Sequence, residues 1–127
     1  MLRQNRNHRI LKEIGYQREA VLEYAKRWAK GRNPRYLDFE HMGGDCTNFA
    51  SQCIYAGSGV MNYTPTMGWY YSSGSNRSPS WTGVVYLYNF LTGNKSAGPY
   101  GVETNEKGVE PGDIVPVSYT HLRAHET

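Results

Sequence analysis

Apolar residues recur at helical spacing in three stretches of the chain. From Gln17 to Ala29 they fall at Ala20, Val21, Tyr24, Ala25 and Trp28, one stripe of an amphipathic helix. Gly31, Asn33 and Pro34 end that helix. The loop Arg35–Met42 follows, with Tyr36 and Phe39 expected to pack inward. A second helix is predicted from Cys46 to about Ala56. Asp45 serves as its N-cap, and Cys46, Phe49, Ala50, Cys53 and Ile54 form its buried stripe. Asp45, Asn48 and Gln52 then line its polar side, and Gly57-Ser58-Gly59 closes it. A third helix runs from about Trp81 to Leu91, capped by Ser80, with Val84, Leu87, Tyr88 and Leu91 on one side. Gly93 and Asn94 stop it.

Between the second and third helices, Val60–Pro79 shows no period and is rich in Tyr, Ser, Gly and Trp. A loop of that length inside a compact domain is functional or disordered, and Trp69-Tyr70-Tyr71 argues for order. Near the end, Pro111-Gly112-Asp113 makes a corner that feeds a strand beginning at Ile114-Val115. The order is helices first and then the start of a sheet, an α+β arrangement.

Composition narrows this little. The 127 residues suit one small domain, and 13% aromatics argue against disorder. No apolar run approaches the roughly 20 residues of a membrane span. The opening MLRQNRNHRILKEIGY carries charges where a secretion signal would carry its apolar stretch. Cytoplasm, spore and cell envelope therefore all stay open. Residues 1–35 hold ten of the fourteen Lys/Arg and three of the eleven acidic residues, so the remainder is net negative. These basic residues are spread through a helical pattern, which suits a solvated face better than a nucleic-acid surface.

The two cysteines carry the candidate chemistry. Cys46 and Cys53 on one helix would lie roughly 10.5 Å apart along its axis, beyond the roughly 7 Å between Cα atoms that a disulfide tolerates. Their spacing fits no zinc pattern, and neither a metal nor any other cofactor is expected. Cys53 sits mid-helix on the apolar stripe and reads as a small hydrophobe. Cys46 lies in the first turn, where unpaired N–H groups and the helix dipole favour a thiolate and can stabilise an oxyanion. By position alone it is either a nucleophile or a buried structural thiol.

The string Gly43-Gly44-Asp45-Cys46-Thr47-Asn48-Phe49-Ala50-Ser51-Gln52-Cys53 resembles the nucleophile motif of the bacterial Putative amidase domain family, relatives of the NlpC/P60 and CHAP amidases. The resemblance extends to Tyr24–Ala29, Gly31–Tyr36, Gly59–Thr66, Gly68–Tyr71, Trp81–Val84 and Pro111–Val115, spanning residues 16–115. It implies a papain-like fold, N-terminal helices followed by an antiparallel sheet that is truncated here. It also implies a Cys–His hydrolase acting on amide bonds, by analogy those of cell-wall peptides, with Cys46 as nucleophile. Asp45 would serve as an orienting or oxyanion residue, or as a plain N-cap. Trp69, Tyr70 and Trp81 are candidates for a substrate groove and serve equally as core aromatics. A non-catalytic module holding glycan or peptide on its aromatic loop is the competing reading, with Cys46 structural.

A papain-like site takes its base from the sheet after the nucleophile helix. His8 lies in the basic N-terminal stretch 1–15, and His41 precedes Cys46 in the chain. His121 and His125 have the right order. However, residues 117–127, VSYTHLRAHET, resemble a translated transposon-tagmentation sequencing adapter, and Pro116 fits the preceding codon. The expectation is an amidase domain over 16–115, a non-native tail over 116–127, and a catalytic histidine encoded beyond Val115. Such a chain would turn over little, because general-base help is worth about 10²–10⁴-fold. A lone strand would also leave it marginally stable.

Overall fold

A computed structural model describes residues 2–4, 10–12, 15–104 and 106–114. Leu2–Gln4 (β1) and Ile10–Lys12 (β2) form an antiparallel pair within the stretch read as an extension. Helix α1 spans Arg18–Trp28 and α2 spans Asp45–Ser58. Tyr71–Ser73 (β3) and Asn76–Arg77 (β4) make a small antiparallel hairpin, followed by α3 (Pro79–Thr82) and α4 (Val84–Gly93). A 3-10 turn over Glu106–Gly108 ends the regular elements. The architecture is α+β in content: helices with two small two-stranded sheets. Ile114 carries no regular structure, and the rest of the expected strand, Val115 onward, lies outside the described residues. His8, His121, His125 and the segment 116–127 lie outside them as well.

Helix α1 follows its apolar stripe, burying Val21 and half-burying Ala20, Tyr24, Ala25 and Trp28. It runs antiparallel to α2: Gln17 N–H bonds Gly57 O at 2.9 Å at one end, and Tyr24 meets Phe49, centroids 6.2 Å apart, towards the other. Tyr36 and Phe39 turn inward as expected, 9% and 1% exposed.

Two indoles form the centre of the core. Trp69 and Trp81 are both 0% exposed, with ring centroids 4.9 Å apart. Tyr36 stacks on Trp81 at 5.9 Å, Phe90 on Trp69 at 6.2 Å, and Ile54 and Leu87 complete the cluster. Buried indole N–H groups need acceptors. Trp81 Nε1 donates to Asn48 Oδ1 at 3.0 Å, and Trp69 Nε1 donates to Ser51 Oγ at 3.1 Å. Ser51 Oγ in turn donates to Trp81 O at 3.0 Å.

This requirement corrects the reading of α2. Asn48 and Gln52, expected on its polar side, are 1% and 6% exposed. Cys46, expected in the buried stripe, is exposed. The helix turns polar groups inward because two indoles and the Tyr24 hydroxyl need them.

The third helix is also two. Pro79 opens α3 after Ser78, the favoured place for a proline. Gly83 is extended (φ −117°, ψ 119°) and separates α3 from α4. Its N–H bonds Pro79 O at 2.9 Å, and its carbonyl accepts Leu87 N–H at 2.8 Å, so it ends one helix and starts the next. Ser80 is not the cap. It is buried and donates to Gly68 O at 2.7 Å, tying α3 to the aromatic loop. Phe90, not Tyr88, joins Leu87 in the core.

Burial raises the proton affinity of two core groups. It pushes the Cys53 thiol from an ordinary 9.0 up to about 11, and the Tyr36 phenol from 10.0 up to about 12. Each releases its proton more readily unfolded than folded. Their contribution is therefore complete below about pH 9 and is lost as pH rises from 9 to 12. Denaturant titrations are expected to show stability falling by about 2 kcal/mol between pH 9 and 11 from Cys53 alone. Cys53→Ala should flatten that first step.

Candidate active site

Cys46 sits in the first turn of α2, exposed, while Cys53 two turns later is 4% exposed. Neither cysteine is in a disulfide. The turn before Cys46 is built on two left-handed glycines, Gly43 (φ 81°) and Gly44 (φ 87°). At Gly44 a side chain is doubly excluded, since a Cβ would lie 2.5 Å from Thr82 O. The start of α2 is thereby pressed against the end of α3. Gly44→Ala is expected to cost about 1–3 kcal/mol and displace this turn, measurable by thermal unfolding.

Gly44, not Asp45, occupies the N-cap, and no side chain caps the helix. The first main-chain bond of the helix is Asn48 N–H to Gly44 O at 2.8 Å. Among the described residues, the N–H groups of Asp45, Cys46 and Thr47 have no acceptor. These are the usual orphan donors of a helix start, and one belongs to the cysteine itself.

Asp45 is committed elsewhere. Its carboxylate forms a two-pronged pair with Arg32, Nη1 to Oδ1 at 2.9 Å and Nη2 to Oδ2 at 3.0 Å. Phe39 N–H reaches Oδ1 at 3.3 Å and Asn48 Nδ2 reaches it at 3.4 Å. The Arg32 guanidinium holds the Asp45 carboxyl below its ordinary range, and Asp45 raises Arg32 in return. An ionised carboxylate offers no proton to an oxyanion, so that part of its expected role does not fit this geometry. What it does is fasten the 32–39 loop to the base of the cysteine helix. Arg32 Nε also meets Asp38 at 3.3 Å, and its Nη2 lies 3.7 Å from Glu40. Arg32 was invisible in the sequence except as part of a helix-ending string, because its three carboxylates are separated along the chain.

The three rings considered for a substrate groove divide. Trp69 and Trp81 are core residues with satisfied indole N–H groups. Tyr70 is half-buried, 5.6 Å from the exposed Tyr63 between centroids, and remains available at the surface. The loop that carries it is ordered by paired main-chain bonds between Asn62 and Trp69 and by Ser78 Oγ, which accepts Tyr70 N–H at 2.9 Å.

His41, the one histidine among the described residues, is exposed in the turn before Gly43. Among the described residues, no group of three or more His, Cys, Asp or Glu is placed to hold a metal, and no helix is long and apolar enough to cross a membrane. A cavity of about 130 Å³ opens between the end of α1 and the start of α2, walled by Trp28, Ala29, Arg32, Asn33, Phe49 and Gln52 among others.

Comparison with known proteins agrees with the sequence motif. Over 103 residues the chain is 34% identical to Uncharacterized protein YhbB of Bacillus subtilis (strain 168). That alignment takes in 79% of this chain but 32% of the relative, so the chain spans about a third of the protein it matches. No solved structure matches. The model of the Putative amidase domain family matches residues 15–126, running from the start of α1 through the segment read above as a tail. With most of its length under that model, the chain belongs to the Putative amidase domain family.

Proposed function

We propose that this domain is a cysteine amidase in which Cys46 Sγ is the nucleophile. The observation that carries the reading is an exposed cysteine in the first turn of a core helix, beside unpaired main-chain donors, in a chain of an amidase family. The sulfur attacks the amide carbonyl, and the carbonyl oxygen takes up negative charge within reach of the Cys46 N–H. Collapse forms a thioester and expels the amine, which leaves with the proton first taken from the thiol. Water then attacks the thioester, releasing the acid and restoring the thiol.

The base that moves this proton is a histidine encoded beyond Val115, on the antiparallel sheet that a papain-like fold places after its helices. On that reading 116–127 is foreign to the domain even though the family match runs to residue 126, and the histidines His121 and His125 do no chemistry. Sequencing an independent clone of the gene past Val115 tests it, and continuation through Pro116–Thr127 would refute it. The substrate is a peptide amide, with cell-wall peptides as the first to try. The exposed Tyr63, with the half-buried Tyr70 beside it, favours a second reading, in which this surface holds glycan or peptide without cleaving it. Release of amine from peptide amides, and its loss in Cys46→Ala, separates the two.

A further inference from the structure

We propose that the cavity between α1 and α2 is a peptide subsite, in which Gln52 Nε2 donates to a main-chain carbonyl of the bound chain. The argument begins with a relay whose direction is fixed at one end. Arg35 N–H donates to Asn33 Oδ1 at 3.0 Å, so the other end of that amide is its NH₂. Asn33 Nδ2 donates to the Tyr24 hydroxyl at 3.1 Å. The hydroxyl proton is then free for a second partner, and it goes to Gln52 Oε1. With Oε1 at the Tyr24 hydroxyl, the Gln52 amide has its oxygen used and its NH₂ left over.

Among the described residues Gln52 Nε2 has no acceptor, and the side chain is 6% exposed. A buried donor in that state calls for an oxygen from outside the protein. Gln52 lines the cavity, whose 130 Å³ far exceeds the roughly 10–15 Å³ that one water needs. The Arg32 guanidinium at its edge is already shared among Asp38, Glu40 and Asp45, so no strong cation remains for an anionic ligand. Trp28, Ala29 and Phe49 supply apolar wall. An uncharged acceptor held between the Gln52 amide and the Trp28, Ala29 and Phe49 wall fits, and a peptide carbonyl is such an acceptor.

Asp45 and Phe49, on either side of Cys46 along α2, line the same cavity. That the bound peptide is the substrate rests on the amidase reading; that a peptide group binds does not.

The test titrates N-acetylglycinamide into the full ¹⁵N-labelled chain. Saturable shifts are expected for the Gln52 side-chain amide and the Trp28 indole. Gln52→Glu keeps the acceptor for Tyr24 and removes the donor, and should weaken binding at least tenfold. Ala29→Leu, at an exposed position on the rim, should block the cavity with Gln52 intact, and it decides the matter if Gln52→Glu unfolds. Flat titration of the wild type, or binding unchanged in both variants, overturns the subsite. Cys46→Ala should bind the probe as well as the wild type does. Binding without hydrolysis by the longer protein overturns the amidase reading alone, and hydrolysis with a flat titration overturns the subsite alone.

Discussion

Trp81→Ala should lower the melting temperature of this chain by about 15 °C or more, leaving much of it unfolded near 37 °C. Removing a fully buried tryptophan side chain costs about 3–5 kcal/mol in lost transfer energy and residual cavity. Trp81 touches more than its share of the core: Trp69, Tyr36 and Tyr71 all lie within 4.9 to 5.9 Å of its centroid. A second cost comes from Asn48, whose Oδ1 loses the indole donor while staying 1% exposed. An unsatisfied buried acceptor adds about 1–3 kcal/mol. Against a total stability of about 5–15 kcal/mol, that sum is most of what holds the domain together. Trp81→Phe separates the parts, since it keeps a ring in the cluster and strands only the Asn48 oxygen. Thermal unfolding followed by near-UV circular dichroism measures both variants. If Trp81→Ala melted within a few degrees of the parent while ligand binding fell, the residue would belong to a groove after all.

That example shows where the sequence was readable. Period-3.6 patterns located α1 and α2 to within one residue at most ends, because an amphipathic helix repeats its signal several times. Glycine and proline punctuation gave the loop between them, the close of α2 and the corner at 111–112. The inside of α2 was misjudged because hydrophobicity ranks Asn48, Ser51 and Gln52 as surface residues, and nothing local reveals that two indoles and a tyrosine will need them.

The β3–β4 hairpin escaped for a different reason. Tyr71-Ser72-Ser73 and Asn76-Arg77 contain no β-branched residue and show no alternation. Its own Arg77 fastens it, donating to Gly74 O in the turn and, outside the hairpin, to Thr82 Oγ1, and lying 4.4 Å over the Phe39 ring. At the site, the place of Cys46 at a helix start was legible, but its exposure was not, because the apolar period counted it into the buried stripe. Its support by Arg32 and Asp45 was not, because the partners are thirteen residues apart and joined only by the fold.

Cys46→Ala is expected to abolish peptide-amide hydrolysis in the full-length protein, with a fall in kcat of at least about 10⁴-fold and unchanged folding. The size follows from removing the atom that forms the covalent intermediate, which leaves only oxyanion stabilisation and binding. Folding should be spared because Cys46 is exposed, so deleting its sulfur opens no cavity. Cys53 supplies the internal control. It is 4% exposed with its thiol pushed up to about 11, so at pH 7 about one in 10⁴ molecules carries a Cys53 thiolate. Iodoacetamide at pH 6 should therefore modify Cys46 far faster than Cys53, and inactivation should track the Cys46 adduct by mass spectrometry. Cys53→Ala should retain turnover within a few-fold, lowering melting temperature instead. Equal, slow labelling of the two thiols, with turnover surviving Cys46→Ala, would remove the nucleophile from this mechanism and return Cys46 to the surface as a bystander.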